Sequence, residues 1–206
     1  MKITDWLITA EGECQPRPAA KAWDLVRDRY YFHQFLTDII DLLDNAPSER
    51  EEWNFLPQIR MQMRQIAINS YWLTTQQTPP NPKTGAGVQV LYNEIGYPLT
   101  VQNVLTEPGV TSSIHNHGTW GVIYMLEGHE KHTFWRRVNA AEEPFIIEPA
   151  GERIFGPGEI ISFMPDTIHQ VITLDEQPTL TFQLYGDTQP RSRYKFQPEK
   201  ALAKPF

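Results

Sequence analysis

Three histidines have types and spacing that could bind a metal: His115 and His117, two residues apart, and His169, fifty-two residues further on. Side chains at i and i+2 of a strand share a face, with about 7 Å of backbone between them, so two such imidazoles can converge on one ion. Neutral imidazole nitrogen suits iron, nickel, copper or zinc. Ser113 has the same parity, so Ser113, His115 and His117 are expected to point into one cavity. His169 sits where the turn Met164-Pro-Asp-Thr-Ile-His169 leads into a strand, and it offers a third ligand. The run Thr179-Leu-Thr-Phe-Gln-Leu-Tyr185 alternates, which places Thr181, Gln183 and Tyr185 together on the cavity side. His129 and His132 follow the turn at Gly128; three apart, they would face opposite ways on a strand, and both are expected to be exposed to solvent.

The elements that must position these groups fall into two textures. From Lys21 to Leu43, residues such as Trp23, Val26, Tyr30, Phe35 and Ile39 recur at helical spacing. Asn45-Ala-Pro-Ser48 breaks that helix, and Ser48 with Glu51 reads as a capping box for a second one carrying Trp53, Leu56, Ile59, Met63, Ile66 and Leu73. Thr78-Pro-Pro-Asn-Pro-Lys-Thr-Gly85 is a turn-rich connector. Beyond it, short strands are expected at Val88–Tyr92, Leu99–Glu107, Ser113–His117, Gly121–Leu126, Lys131–Val138, Phe145–Glu148, Glu152–Phe155, Ile160–Phe163, His169–Leu174 and Thr179–Tyr185. The organisation implied is a helical segment over residues 1–78, packed on a β-barrel over residues 79–206, the two forming one integrated domain. The fold class is mainly β.

Composition removes several functions. The 206 residues carry 18 Lys and Arg against 25 Asp and Glu, a formal charge of −7, so neither nucleic acid nor an anionic membrane is an expected partner. Apolar stretches such as Gly121 to Leu126 are far shorter than the roughly 18 residues a spanning helix needs. Residues Met1 to Ala10 contain no long apolar core of a signal peptide. Cys14 is the single cysteine, so an intramolecular disulfide and a cysteine-rich zinc site are excluded, and a reducing cytoplasmic setting is the default.

Gly109, five residues, His115-Asn-His117 and then Gly128 resembles the first motif of the cupins; Gly158, Pro165 and His169 resemble the second, with altered spacing. The resemblance implies a double-stranded β-helix, or jelly-roll barrel. Most cupins place a glutamate four residues past the second histidine, where this chain has Gly121. A three-histidine cupin site resembles that of the thiol dioxygenases, the cysteine dioxygenase family. Ser113-Ile-His-Asn-His-Gly-Thr-Trp-Gly121 is similar to the corresponding strand of the bacterial members, and Tyr185 lies close to where the family has its active-site tyrosine. What the resemblance implies is iron(II) on His115, His117 and His169, a small thiol and O₂ as substrates, and a sulfinic acid as product. Tyr185 is then the catalytic residue, with Trp120, Ser113, Gln183 and Tyr124 lining the substrate pocket. Zinc, nickel or manganese are the other ions such a site could take. A homodimer is the assembly the resemblance suggests.

Two departures bear on the substrate. Cys14 lies far from the motif, so the cysteine–tyrosine crosslink of the mammalian-type enzymes is not expected. The family's early-strand arginine, near Gln89 or Val90, is missing, since no arginine occurs between Arg64 and Arg136. Arg136, Arg137 and Arg153 are the candidates to replace it. The missing clamp keeps a second class open: a non-oxygenase cupin that binds or senses a small molecule, or a metal-dependent isomerase or hydrolase.

Overall fold

Alternation of inward and outward side chains shapes the barrel, and the computed structural model describes it over residues 4–19, 29–46, 51, 54–97, 99–138, 146–187 and 190–205. The strands, in chain order, are β1 (Asp5–Ile8), β2 (Cys14–Arg17), β3 (Ala86–Asn93), β4 (Thr100–Thr106), β5 (Ile114–His115), β6 (Gly121–Glu127) and β7 (Glu130–Arg137). They continue as β8 (Ile147–Phe155), β9 (Ile160–Phe163), β10 (Ile168–Thr173), β11 (Thr179–Tyr185), β12 (Tyr194–Gln197) and β13 (Leu202–Pro205). One sheet has the order β2-β1-β9-β6-β11-β4-β3 and the other β13-β12-β5-β10-β7-β8. The central four of the first, β4-β11-β6-β9, face the four of the second, β5-β10-β7-β8. This is the two-sheet wiring of a jelly roll, the double-stranded β-helix that the sequence implied.

The first sheet is apolar on its outer face and mixed on its inner one. On β11, Leu180, Phe182 and Leu184 turn outward into a core shared with the helices, while Thr181, Gln183 and Tyr185 turn inward. The outer core takes in Phe35 and Ile39 of α1 (Phe32–Asn45) and Ile59, Met63 and Ile66 of α2 (Leu56–Asn69). It also takes in Leu73 of the short α3 (Trp72–Thr75). Phe35 meets Phe182 with ring centroids 5.9 Å apart, and Phe55 meets Trp120 at 5.2 Å. Inside the barrel a separate apolar cluster of Ile123, Met125, Phe134, Phe155, Ile161 and Phe163 fills one end. The other end is left for polar groups.

The helical layer is also pinned by charge. Arg64 of α2 pairs with Asp5 of β1, both buried, and its Nη1 donates to the Gly158 carbonyl at 2.8 Å. Arg60 donates to Ser162 at 2.9 Å, and Ser162 in turn donates to the Trp6 carbonyl at 2.8 Å.

Several elements differ from the sequence expectation. Residues 20–28 and the Ser48 of the expected capping box lie outside the described residues. The first described helix starts at Phe32, with Gln34 accepting the Tyr31 N–H at 2.9 Å, and the second at Leu56, with Pro57 in its first turn. The N-terminal segment is not only helical: β1 adds to the first sheet in parallel beside β9, and β2 pairs with β1. The two strands expected at Phe145–Glu148 and Glu152–Phe155 are one, β8. Pro149 and Gly151 are absorbed at a register shift opposite Phe134 and Trp135. Among the described residues no helix is long and apolar enough to cross a membrane.

Candidate metal centre

β5 and β10 run antiparallel, with His115 directly opposite His169. That register, and not the HxH spacing alone, brings the histidines together. β5 ends at His115, and His117 lies just beyond it, where Gly118 turns the chain with φ 67°. Asn116, between the two histidines, points the other way and is fully buried. Its Nδ2 donates to the Ser192 carbonyl at 2.8 Å, and its Oδ1 accepts the Tyr194 N–H at 2.7 Å. One amide therefore fixes the end of β5 to the stretch that carries Arg193.

The ligand atoms of His115, His117 and His169 lie within 4.8 Å of one another. Nε2 of His117 and Nε2 of His169 are 3.0 Å apart. Two nitrogens each about 2.1 Å from one ion, at a right angle, are about 3 Å apart, so this pair has the separation of adjacent ligands. His115 Nδ1 lies 2.8 Å from the Ser113 carbonyl, which assigns its proton to Nδ1 and leaves Nε2 with a lone pair. Burial pushes the His115 pKa down to about 4, against the opposing Ser113 carbonyl, and holds those of His117 and His169 well below the usual value. The three rings are neutral near pH 7, which is the form that binds metal. The residues present fit an ion held by three imidazoles.

The position of the missing glutamate is filled by rings. Gly121 faces inward, and a Cβ there would sit 2.4 Å from the Phe163 ring and 2.9 Å from the Tyr185 ring. Both rings pack against the His117 imidazole, with centroids 4.9 and 4.8 Å away. Aromatic surface occupies the place from which a carboxylate would reach the ion.

The histidines stand at one wall of a cavity of about 550 Å³ between the sheets, which Tyr185, Gln183, Gln102 and Arg193 also line. The Tyr185 hydroxyl donates to Gln183 Oε1 at 2.8 Å. Gln102 donates to the same oxygen at 2.9 Å, and Gln183 Nε2 donates to Thr181 at 2.8 Å. Burial raises the Tyr185 pKa, with Arg193 opposing, so the phenol keeps its proton. Burial lowers that of Arg193, with Tyr185 opposing.

Sequence-predicted residues divide accordingly. His115, His117, His169, Gln183 and Tyr185 share the cavity. Trp120 and Tyr124 do not: both turn outward into the helical layer, because Ile123 and Met125 take the inward parity of β6. Tyr124 lies beside the Arg64 guanidinium, 5.4 Å from ring centroid to Cζ. Ser113 is exposed. The chain between the bridge at Thr111 and β5 is irregular, and Ser112 takes the inward place, its Oγ accepting the Val171 N–H at 2.9 Å. Ser113 offers its carbonyl instead. His129 is exposed, as expected, and pairs with Asp175. His132 is a correction: it is 0 % exposed and lies against His169. Its partner in parity is Phe134 on β7, whose apolar side chain was the readable signal for an inward face. None of Arg136, Arg137 and Arg153 lines the cavity. They lie against Glu148, the Phe196 ring and the Trp6 ring respectively. Arg193 does line it, and no motif marks it in the sequence.

No family model matches the chain. Several solved structures are similar to its barrel. A cupin 2 conserved barrel domain protein from Salinispora arenicola CNS-205 is 16% identical with a TM-score of 0.40, over 55% of this chain and 83% of its own. An RmlC-like cupin from Shewanella frigidimarina NCIMB 400 is 14% identical with a TM-score of 0.40, over 57% of this chain and 89% of its own. An oxalate oxidase in complex with the substrate analogue glycolate is 16% identical with a TM-score of 0.43, over 60% of this chain and 61% of its own. The similarity concerns the barrel and bears on neither metal nor substrate.

Proposed function

We propose that this protein is a non-haem iron(II) thiol dioxygenase acting on a small thiol that carries a carboxylate. The observation that carries this reading is the ligand set: three neutral imidazoles converge, and the Phe163 and Tyr185 rings fill the place of a fourth, anionic ligand. Three protein ligands leave open positions for substrates on one ion. Bound there by His115, His117 and His169, iron(II) supplies the redox chemistry that joins both atoms of O₂ to the sulfur, converting RSH and O₂ into RSO₂H.

The chain's own residues provide the rest. Arg193, within the same cavity, is the guanidinium for a carboxylate, a role the sequence offered to Arg136, Arg137 and Arg153. Its charge also favours the anionic form of a thiol placed beside the histidines. The Tyr185 hydroxyl, on the facing sheet, keeps its proton and donates it to Gln183 Oε1; an oxygen bound beside the histidines would compete with Gln183 for that donor. Apolar side chains such as Ile123 and Val171 limit the water around the sulfur. A non-oxygenase binding module is the second reading, favoured by the commitment of the Tyr185 hydroxyl to Gln183.

Oxygen uptake by protein loaded anaerobically with iron(II), over a panel of small thiols, separates the two. The dioxygenase reading expects uptake with carboxylate-bearing thiols, one sulfinate formed per O₂ by mass spectrometry, and a KM that rises at least tenfold in Arg193→Gln. Metal retention without thiol-dependent uptake across the panel would leave the binding module.

A further inference from the structure

Behind the three histidines lies a fourth that no metal-binding motif predicts. Glu130, His132 and Phe134 share the inward face of β7, and His169, Val171 and Thr173 share that of the neighbouring β10. His132 lies diagonally across from His169, with Nδ1 to Nδ1 at 3.3 Å. On its far side, His132 Nε2 is 3.3 Å from Glu130 Oε2. The other oxygen of Glu130 accepts the Thr179 hydroxyl at 2.9 Å. Every member is buried: His132 is 0 % exposed, Thr179 0 %, His169 3 % and Glu130 6 %. The Phe155 ring stands edge-on to His132, with centroids 5.1 Å apart.

The proton positions in this chain follow from one another. His169 can bind metal through Nε2, the atom facing His117, only if its proton is on Nδ1. That proton can then be donated only to His132 Nδ1, which must be an acceptor. The proton of His132 is therefore on Nε2, where it is donated to the Glu130 carboxylate. Thr179 holds that carboxylate in place.

We infer that Glu130 and His132 form a relay of hydrogen bonds that positions His169, fixing its tautomer and ring angle and raising the electron density at its metal-binding nitrogen. The inference rests on the metal centre proposed above. The three histidines are then not equivalent. His115 is oriented by a backbone carbonyl, which carries no formal charge, whereas His169 is backed by a buried carboxylate through a second imidazole. Groups that orient a metal-binding histidine in this way are typically worth about 10- to 100-fold in metal affinity.

The test is the iron(II) dissociation constant of the full-length protein, read by chelator competition, together with the visible spectrum of the cobalt(II)-loaded protein. His132→Leu removes the acceptor and is expected to weaken binding about 10- to 100-fold. His132→Asn places an amide oxygen near the lost Nδ1 and is expected to bind within about threefold of the parent. Glu130→Gln keeps the shape, loses the charge, and is expected to weaken binding several-fold and shift the cobalt bands. His129→Asn, on the exposed histidine nearby, is expected to change neither. Should His132→Leu not fold, the comparison of His132→Asn with Glu130→Gln still decides. Wild-type affinity and unshifted bands in Glu130→Gln, or equal losses in His132→Asn and His132→Leu where both fold, would overturn the relay. A parent protein that binds no metal at all would overturn the metal centre itself, and the relay with it.

Discussion

Gly121 shows at the scale of one residue why the site has three protein ligands. An added Cβ meets the Phe163 ring at 2.4 Å and the Tyr185 ring at 2.9 Å, and both are buried aromatic groups. Gly121→Ala is therefore expected to destabilise the fold by about 1–3 kcal/mol, the usual cost of overpacking. It should also weaken metal binding, because the displaced rings pack on His117. Urea unfolding and metal titration read the two effects, and wild-type values in both would refute the account. Cys14 provides a second residue-scale prediction. Burial pushes its thiol up to about 11 from an ordinary 9, with Arg153 opposing. Its thiolate fraction at pH 8 is thus about 100-fold below that of a free thiol. Alkylation of the native protein should be correspondingly slow at pH 8 and climb until about pH 11. The sign for stability follows: the folded state retains the proton longer, so this contribution is present below pH 9 and lost as pH rises through 11. Equal alkylation rates at pH 8 in native and urea-unfolded protein would refute the shift.

Among the elements, α2 is fastened to the barrel by a pair that is costly to break. Burial raises the Asp5 pKa despite Arg64 and Arg60, so desolvation outweighs attraction in this ion pair. Asp5 also faces buried Arg60, Nε to Oδ2 at 4.0 Å, so removing the carboxylate strands two guanidiniums, whereas removing Arg64 leaves Asp5 one partner. Asp5→Leu is expected to cost about 3–5 kcal/mol, and Asp5→Leu with Arg64→Met to recover part of it. Denaturant unfolding of the two variants checks this, and a single-variant loss below about 1 kcal/mol would mean the pair does not fasten the layer. The same element shows what sequence could not tell. Ile59, Met63 and Ile66 gave away the buried face of α2 by their spacing, but nothing local links Arg64 to Asp5, fifty-nine residues away. β9 and β11 have the bounds expected, β11 from its alternation and β9 as a short apolar run between Gly158 and Pro165. β1 and β2 at one margin, and β12 and β13 at the other, were not legible, because pairing with strands distant in the chain recruits them. In the site, His115, His117 and His169 were legible from type and spacing. Arg193 was not, because its place in the cavity depends on Asn116 holding the chain on either side of it.

For the whole molecule, the division of labour between the sheets decides what metal should do to stability. His115 and His169 belong to one sheet, whereas Tyr185, Gln183 and Gln102, which close the cavity, belong to the other. His117 joins the two through its ring contacts with Phe163 and Tyr185. The third ligand, His169, lies fifty-two residues beyond His117, so the unfolded state offers no comparable three-histidine site, and an ion binds the folded state almost alone. Its stabilisation is then RT ln(1 + [M]/Kd), about 2.7 kcal/mol at a hundredfold excess over Kd. For a chain of this size that corresponds to a rise in Tm of about 5–10 °C. Calorimetry of stripped and iron(II)- or zinc(II)-loaded protein at pH 7 should show it. His169→Ala should abolish the rise, since it removes the ligand in the second strand. A Tm that is indifferent to metal in the parent protein, or a rise that persists in His169→Ala, would mean the three imidazoles are packing residues and that the cavity works without an ion.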